Sequence, residues 1–415
     1  MMRGKDEEKK RVHKLKDKII SIVNKAAVFF FGVLVFFLPI SGATIETCFG
    51  FILLCFLIRF AIERPSGKDI RAFFNNRVNL ALLIFYLCIG FSFFSSGDLL
   101  GKSLRAWVSK WGEGVALFYL AQIFLNKQKV KYLIYVFLAS AFLVSVDGIY
   151  QYIVGIDFLR GFELKGANDF LGVTASFSHF NNFSTYLSVI FLLSCSVLLR
   201  IKKSWVRFGV YVLFLLLVIN IFLVNSRAGL LSLSIGLIVF AFLFPGRRIK
   251  FGFLFFLLIC LVAGISIPFL RENILELIER ADGGRFGIWK GAVLMFKDYP
   301  LNGRGLGLFM NHITDYGLQP LYAHNCYLQI LAETGLLGFV SFLWFLGLVF
   351  GRSIKMIIKK FDILLLGTIS ASSAFCVQMF FDTQLYSLKL SILFWLLISF
   401  VAIFVSCTDL QKEGE

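Results

Sequence analysis

Three residues in this 415-residue sequence have the type and setting for group transfer: His324, Arg227 and Arg285. His324 directly precedes a long apolar run in "YAHNCYLQILAETGLLGF" (322–339). Imidazoles as a class titrate near about pH 6.5, so one placed here can take a proton from a hydroxyl at neutral pH. A purely structural histidine at a helix mouth is the plainer alternative. Arg227 lies in "VNSRAGLLSL" (224–233), at a tight hairpin between two apolar stretches. Its guanidinium either snorkels at a membrane edge or donates paired hydrogen bonds to a phosphate. Arg285, in "DGGRFGIW", opens an amphipathic stretch. A helix N-terminus offers free N–H groups and partial positive charge, so a cation added there suits a diphosphate. A solvated loop cation is the other reading. Arg304 in "NGRGLG" (302–307) and Asn325 beside His324 complete the candidate substrate contacts.

The remaining candidates are weaker. Glu333 would lie about 13 Å along a helix axis from His324, at 1.5 Å per residue. That is too far to orient the imidazole, so Glu333 is expected to satisfy backbone or polar groups within the bundle. His179 and His312 lack an evident partner, and His13 belongs to a charged tail. "NGRGLG" follows no strand and lacks a GK[ST] ending, so it reads as a hinge rather than a phosphate loop. There is no D-x-D, HExxH or Walker sequence and no zinc-spaced Cys/His cluster. The expectation is therefore no metal and no cofactor, with arginines neutralising anionic groups. The eight cysteines form no CxxC pair and read as small buried hydrophobes.

Apolar blocks must position these residues. The chain is 58% hydrophobic with a mean hydropathy of +0.82, above the composition of ordinary soluble domains. Uncharged blocks of roughly 18–25 residues read as membrane-crossing helices. About twelve such blocks are expected, near 26–41, 43–62, 79–96, 112–125, 131–154, 183–200, 207–225, 228–245, 250–270, 327–350, 362–381 and 386–406. The fold class is thus all-α, a polytopic membrane protein with a long helical loop capping one side. The expected organisation is a basic cytoplasmic tail (1–25), transmembrane helices 1–9 (26–270), a periplasmic loop with amphipathic helices (271–326), transmembrane helices 10–12 (327–406) and a cytoplasmic tail (407–415). The first apolar block resembles a signal-peptide core, but another span follows at once, which favours an uncleaved helix.

The formal net charge of +17 could suggest nucleic-acid binding. The cations cluster instead in short links, 29 on the expected cytoplasmic side against 12 on the other. That bias is the positive-inside pattern, with N- and C-termini cytoplasmic and no nucleic-acid partner. Two long segments, 155–182 and 271–323, then face away from the cytoplasm. Within the second, "RENILELIER" (271–280) can form a short helix. "RFGIWKGAVLMF" (285–296) places Ile288, Trp289, Ala292, Val293 and Phe296 on one helical face.

Taken together, "GVTASFSHFNNFSTYL", "NSRAG", "GGRFGIWKGA", "PLNGRGLGLF" and "HNCYLQILAETGLLG" resemble the O-antigen ligase/polymerase superfamily. The resemblance covers about a third of the chain (172–187 and 224–339). It implies a metal-independent glycosyltransferase of the bacterial inner membrane with a periplasm-facing active site. Its donor would be an undecaprenyl-diphosphate-linked glycan. In a ligase the acceptor would be a sugar hydroxyl of the lipid A core, and membrane lipids surround the protein. By the same resemblance Arg227 and Arg285 would bind the donor diphosphate and His324 would be the base. A polymerase sharing the donor is the first alternative. A transporter or flippase of lipid-linked sugar is the second, with Asp147 as its main intramembrane ionisable candidate.

Overall fold

In hydrocarbon every backbone N–H and C=O must be satisfied within the segment, so uncharged runs of this length fold as helices. The computed structural model describes residues 2–167, 170–246, 248, 250–252, 255 and 285–409. The described elements are α1 (Met2–Phe37), α2 (Gly42–Glu63), α3 (Gly67–Asn75), α4 (Arg77–Gly90), α5 (Leu100–Arg105), α6 (Glu113–Phe124) and α7 (Lys127–Val154). A two-stranded antiparallel ribbon follows, β1 (Lys165–Ala167) and β2 (Phe170–Gly172). Then come α8 (Phe180–Arg200), α9 (Ser204–Val224) and α10 (Arg227–Leu243). The last part holds α11 (Arg285–Asp298), α12 (Phe309–His312), α13 (Cys326–Lys359), α14 (Ile363–Gln378) and α15 (Leu388–Asp409).

Among the described residues, 8 helical stretches are long and apolar enough to cross a membrane. They lie in α1, α2, α4 with the turn after it, α7, α8, α9, α13 and α15, while α10 and α14 are apolar but shorter. The chain is an all-α polytopic membrane protein. The expected span at 112–125 is only the 12-residue α6, preceded by a π-helical stretch, Ala106–Gly112. At 1.5 Å per residue α6 covers about 18 Å, short of a roughly 30 Å hydrocarbon core. The expected span at 250–270 and helix at 271–280 fall largely outside the described residues.

The centre of the bundle is α8, α10, α14 and α15. In α8 and α15, 83% and 89% of the apolar window is buried, so protein rather than lipid surrounds both. Packing this tight needs small residues at the crossings. A Cβ on Gly236 of α10 would sit 2.4 Å from Leu192 Cδ1, and one on Gly114 of α6 would sit 2.1 Å from the Trp395 ring. Lys389, within the expected last span, is the second residue of α15. Its ammonium donates to the carbonyls of Pro39 (2.7 Å) and Ser176 (2.8 Å), tying three chain segments together at one end of the bundle.

Helix α13 is broken. Gly335 has φ 63 and ψ −163, and the segment 300–309 threads into the gap. Arg304 N–H donates to the Ala332 carbonyl and Gly305 N–H to that of Glu333, each at 3.0 Å; Leu336 N–H donates to Pro300 at 2.8 Å. The loop thus satisfies backbone groups that the break would leave unpaired. Glu333 completes the joint, as the sequence suggested. Its carboxylate accepts from Gly307 N–H (2.8 Å), Phe309 N–H (3.3 Å), the Tyr386 hydroxyl (2.7 Å) and Gln329 Nε2 (3.2 Å). A Cβ at Gly335 would lie 2.4 Å from the Leu301 carbonyl carbon. Gly335→Ala should therefore reduce the yield of detergent-extracted monodisperse protein and lower its unfolding midpoint, through backbone collision as well as about 1–3 kcal/mol of strain in a backbone region essentially restricted to glycine. Wild-type yield and midpoint would refute that account of the joint.

Residues before α13 form a separate cap. Ile288, Ala292 and Met295 of α11 pack with Phe309, Ile313, Ala323 and Ala332 in a small core of their own. The buried face of α11 is Ile288, Gly291, Ala292 and Met295, rotated from the expected one; Val293 is exposed and Trp289 and Phe296 are half-buried. The cause is Met295, which points into the cap, so that Val293 faces outward.

Candidate active site

His324 occupies a tight turn between the cap and α13. Its φ of 48 is left-handed, a conformation that costs an L-residue other than Gly about 1–2 kcal/mol. Hydrogen bonds fix the turn on both sides. Before it, Ala323 N–H donates to Gln329 Oε1 (3.1 Å) and the Ala323 carbonyl accepts from Trp289 Nε1 (2.9 Å). After it, Cys326 N–H donates to the Met379 carbonyl at 2.8 Å. The imidazole is half-exposed, with its Nδ1 3.2 Å from Asp382 Oδ1.

Asp382 is buried in the link between α14 and α15. Oδ1 also accepts from Thr383 N–H (2.8 Å), and Oδ2 accepts from Asn181 Nδ2 (3.2 Å). Burial by itself pushes this carboxyl up. The hydrogen bonds from His324 and Thr383, with the nearby His324 and His179 rings, outweigh it and hold Asp382 below its ordinary value. An ionised Asp382 accepts the Nδ1 proton, which fixes the tautomer and leaves Nε2 with a lone pair.

The network continues across the bundle. Asn181, in the first turn of α8, accepts through Oδ1 from the Ser226 hydroxyl at 2.9 Å. Ser226 in turn caps α10 by accepting from Gly229 N–H at 3.1 Å and receives the Ser184 hydroxyl at 3.1 Å. Arg227, exposed, is the first residue of that helix. A continuous chain of hydrogen bonds therefore runs from Ser226, the residue before Arg227, through Asn181 and Asp382 to His324. It then reaches α11 through Ala323 and Trp289. Arg285 stands one turn before Trp289 on the same side of α11, about 6 Å along the axis.

The other candidates have structural partners of their own. Arg304 lays its guanidinium 4.5 Å from the centre of the Tyr299 ring and 3.9 Å from Asp315 Oδ2, inside the cap. Asn325 caps α13, its side-chain oxygen accepting from Leu328 N–H at 3.0 Å. His179 caps α8, its Nδ1 accepting from Asn181 N–H at 3.2 Å. His312 pairs with Asp315 at 3.2 Å, and burial holds its imidazole below the ordinary value. Asp147, the transporter candidate, lies in the last two turns of α7 rather than at its middle. Its Oδ1 accepts from the amides of Phe158 (2.8 Å) and Leu159 (3.3 Å), so it anchors the following loop. Among the described residues there is no group of three or more His, Cys, Asp or Glu positioned around a common point.

Sequence reasoning missed Asp382, Asn181 and Ser226. Asp382 had one available signal, an acidic residue in a short link between spans, on the same side as His324. Its role gives a sharp expectation. Asp382→Asn should lower transfer on the order of 10²-fold, less than the roughly 10⁴-fold known for a wrong-tautomer exchange in a serine-protease triad. The wild-type carboxyl ionises below its unfolded value. Its contribution to stability is thus full above the ordinary carboxylate range and is lost as pH falls through the lowered folded value. The Asn variant should lose that acid-side dependence of the unfolding midpoint. An unchanged acid limb and wild-type turnover would remove Asp382 from the site.

A helical membrane protein with ionisable side chains gathered at one end of its bundle is the class that fold and site define. Residues 212–343 match the family model Wzy_C, described as O-antigen ligase, consistent with a member of the O-antigen ligase/polymerase superfamily. Members of that family are glycosyltransferase-like membrane proteins that act on O-antigen and lipid-linked glycans. The matched segment contains Arg227, Arg285, Arg304 and His324; Asn181 and Asp382 lie outside it. No curated protein matches the chain.

Proposed function

We propose that the chain is an O-antigen ligase that transfers glycan from undecaprenyl diphosphate to a sugar hydroxyl of the lipid A core. The carrying observation is the hydrogen-bonded pair of His324 and Asp382, joined through Asn181 and Ser226 to the start of α10. His324 Nε2 takes the proton of the acceptor hydroxyl, and the oxygen attacks the anomeric carbon. The bond to the diphosphate breaks in the same displacement, which inverts that centre. Charge developing on the leaving diphosphate meets Arg227 and Arg285, which need no divalent ion for this. The cation bias of the links supports placing this end of the bundle on the side away from the cytoplasm, which on this reading is the periplasm.

The lipopolysaccharide profile of a deletion strain tests the reading. Bare core with accumulated lipid-linked polymer is the expected result; core bearing a single repeat unit would identify a polymerase. Purified protein should also keep its transfer activity in a metal chelator. Loss restored only by added divalent metal would overturn the arginine-based mechanism.

A further inference from the structure

Two histidines at this end of the bundle are held in opposite tautomers. His179 Nδ1 accepts from Asn181 N–H at 3.2 Å and so caps α8. A backbone N–H can only donate, so the proton of the neutral ring sits on Nε2. Protonating Nδ1 as well would set two N–H groups face to face and break the cap. His324 is the reverse case: its Nδ1 donates to Asp382, 3.2 Å away, and Nε2 carries the lone pair. Asn181 joins the two rings. Its N–H holds His179, and its Nδ2 donates at 3.2 Å to Asp382, which holds His324. The His179 ring stands close enough to Asp382 that its protonation would lower that carboxyl. Phe180 stacks against the ring, with centres 4.3 Å apart, while the residue itself is exposed.

This asymmetry fits a displacement at an anomeric carbon. The acceptor hydroxyl must lose a proton, which needs a lone pair. The leaving diphosphate gathers negative charge, which needs donors. Asn181 Oδ1 accepts from Ser226 Oγ at 2.9 Å, so the start of α8, with His179, is tied to the start of α10, with Arg227. A neutral imidazole can serve there as an electrophilic donor without giving up its proton. We infer that His179 donates a hydrogen bond from Nε2–H to an oxygen of the donor's diphosphate, beside Arg227, as that group leaves. The inference rests on the glycosyl-transfer reading of this site. The electron pair of the broken bond goes to the diphosphate and the acceptor proton goes to His324, while His179 keeps its own proton throughout.

Two substitutions separate the donor from the cap. Asparagine sets its amide near the place of Nδ1, so His179→Asn keeps α8 capped and loses the distal N–H. Glutamine reaches the place of Nε2, so His179→Gln keeps a donor and loses the cap. In the full chain purified in detergent, His179→Asn should hold the wild-type unfolding midpoint. Its turnover should fall about 10²-fold with the acceptor KM unchanged. His179→Gln should show the lower midpoint and turnover within a few-fold of wild type. Titration with undecaprenyl diphosphate, followed by the unfolding midpoint, gives a readout that needs no acceptor. His179→Asn should require roughly tenfold more of it for half the response than wild type or His179→Gln. Wild-type turnover and titration in His179→Asn would overturn the inference alone, as would losses in both variants that track the midpoint. A wild-type chain that binds the diphosphate but makes no ligase product would overturn the ligase reading, and the titrations would still decide His179. A wild-type chain that neither binds nor transfers would overturn both.

Discussion

His324→Ala should abolish glycan transfer while leaving the protein inserted and folded. General-base catalysis by a positioned side chain contributes about 10²–10⁴-fold, and alanine has no group to take the proton. The structural loss should be small, because the turn is held by backbone groups of Ala323 and Cys326 rather than by the ring. Relief of the left-handed strain does not follow from Ala, which has the same backbone preference; His324→Gly relieves it and should be equally inactive but no less stable. His324→Gln separates the two roles, since it keeps a side-chain donor toward Asp382 and loses the base. Transfer assayed with lipid-linked donor and purified acceptor, alongside size-exclusion profiles, checks all three. Activity within a few-fold of wild type in any of them would remove His324 as the base.

Arg227→Ala and Arg285→Ala should each lower transfer by about 10²–10³-fold, the range for removing one preorganised donor from a developing charge. Both effects should fall on turnover as well as on donor affinity, because the charge grows as the diphosphate leaves. Acceptor affinity should change little. Lys in place of either arginine should rescue only partly, since an ammonium cannot make the paired, planar contact. The double variant should fall well short of the product of the single effects if both arginines hold one diphosphate. Simple multiplication of the losses would place them at separate sites. Arg304→Ala gives the contrast. Its guanidinium is engaged with Tyr299 and Asp315, so it should loosen the cap and affect stability more than donor use.

Much of this protein could be read from residue order. Apolar runs free of charge can only cross a membrane as helices, because the backbone must bond to itself in hydrocarbon. That rule is local, so the expected spans at 43–62, 131–154 and 183–200 coincide closely with α2, α7 and α8. Arg227, Arg285 and His324 stood out for a similarly local reason, each being an ionisable group at the edge of an apolar or amphipathic run. Glu333 was separable from His324 by arithmetic on the helical rise alone.

Tertiary structure decided the partnerships. Asp382 and His324 are 58 positions apart, and Asn181 and Asp382 are 201 apart, so no spacing rule connects them. They meet because α8, α10 and α14 pack closely on small residues such as Gly236, which brings the ends of those helices together. The break at Gly335 was equally hidden. A glycine in an apolar run reads as helix, and only the inserted segment 300–309 shows why no side chain fits there. The face of α11 was misjudged for the same reason, since periodicity gives the width of an apolar stripe and the cap core chooses which edge of it is buried.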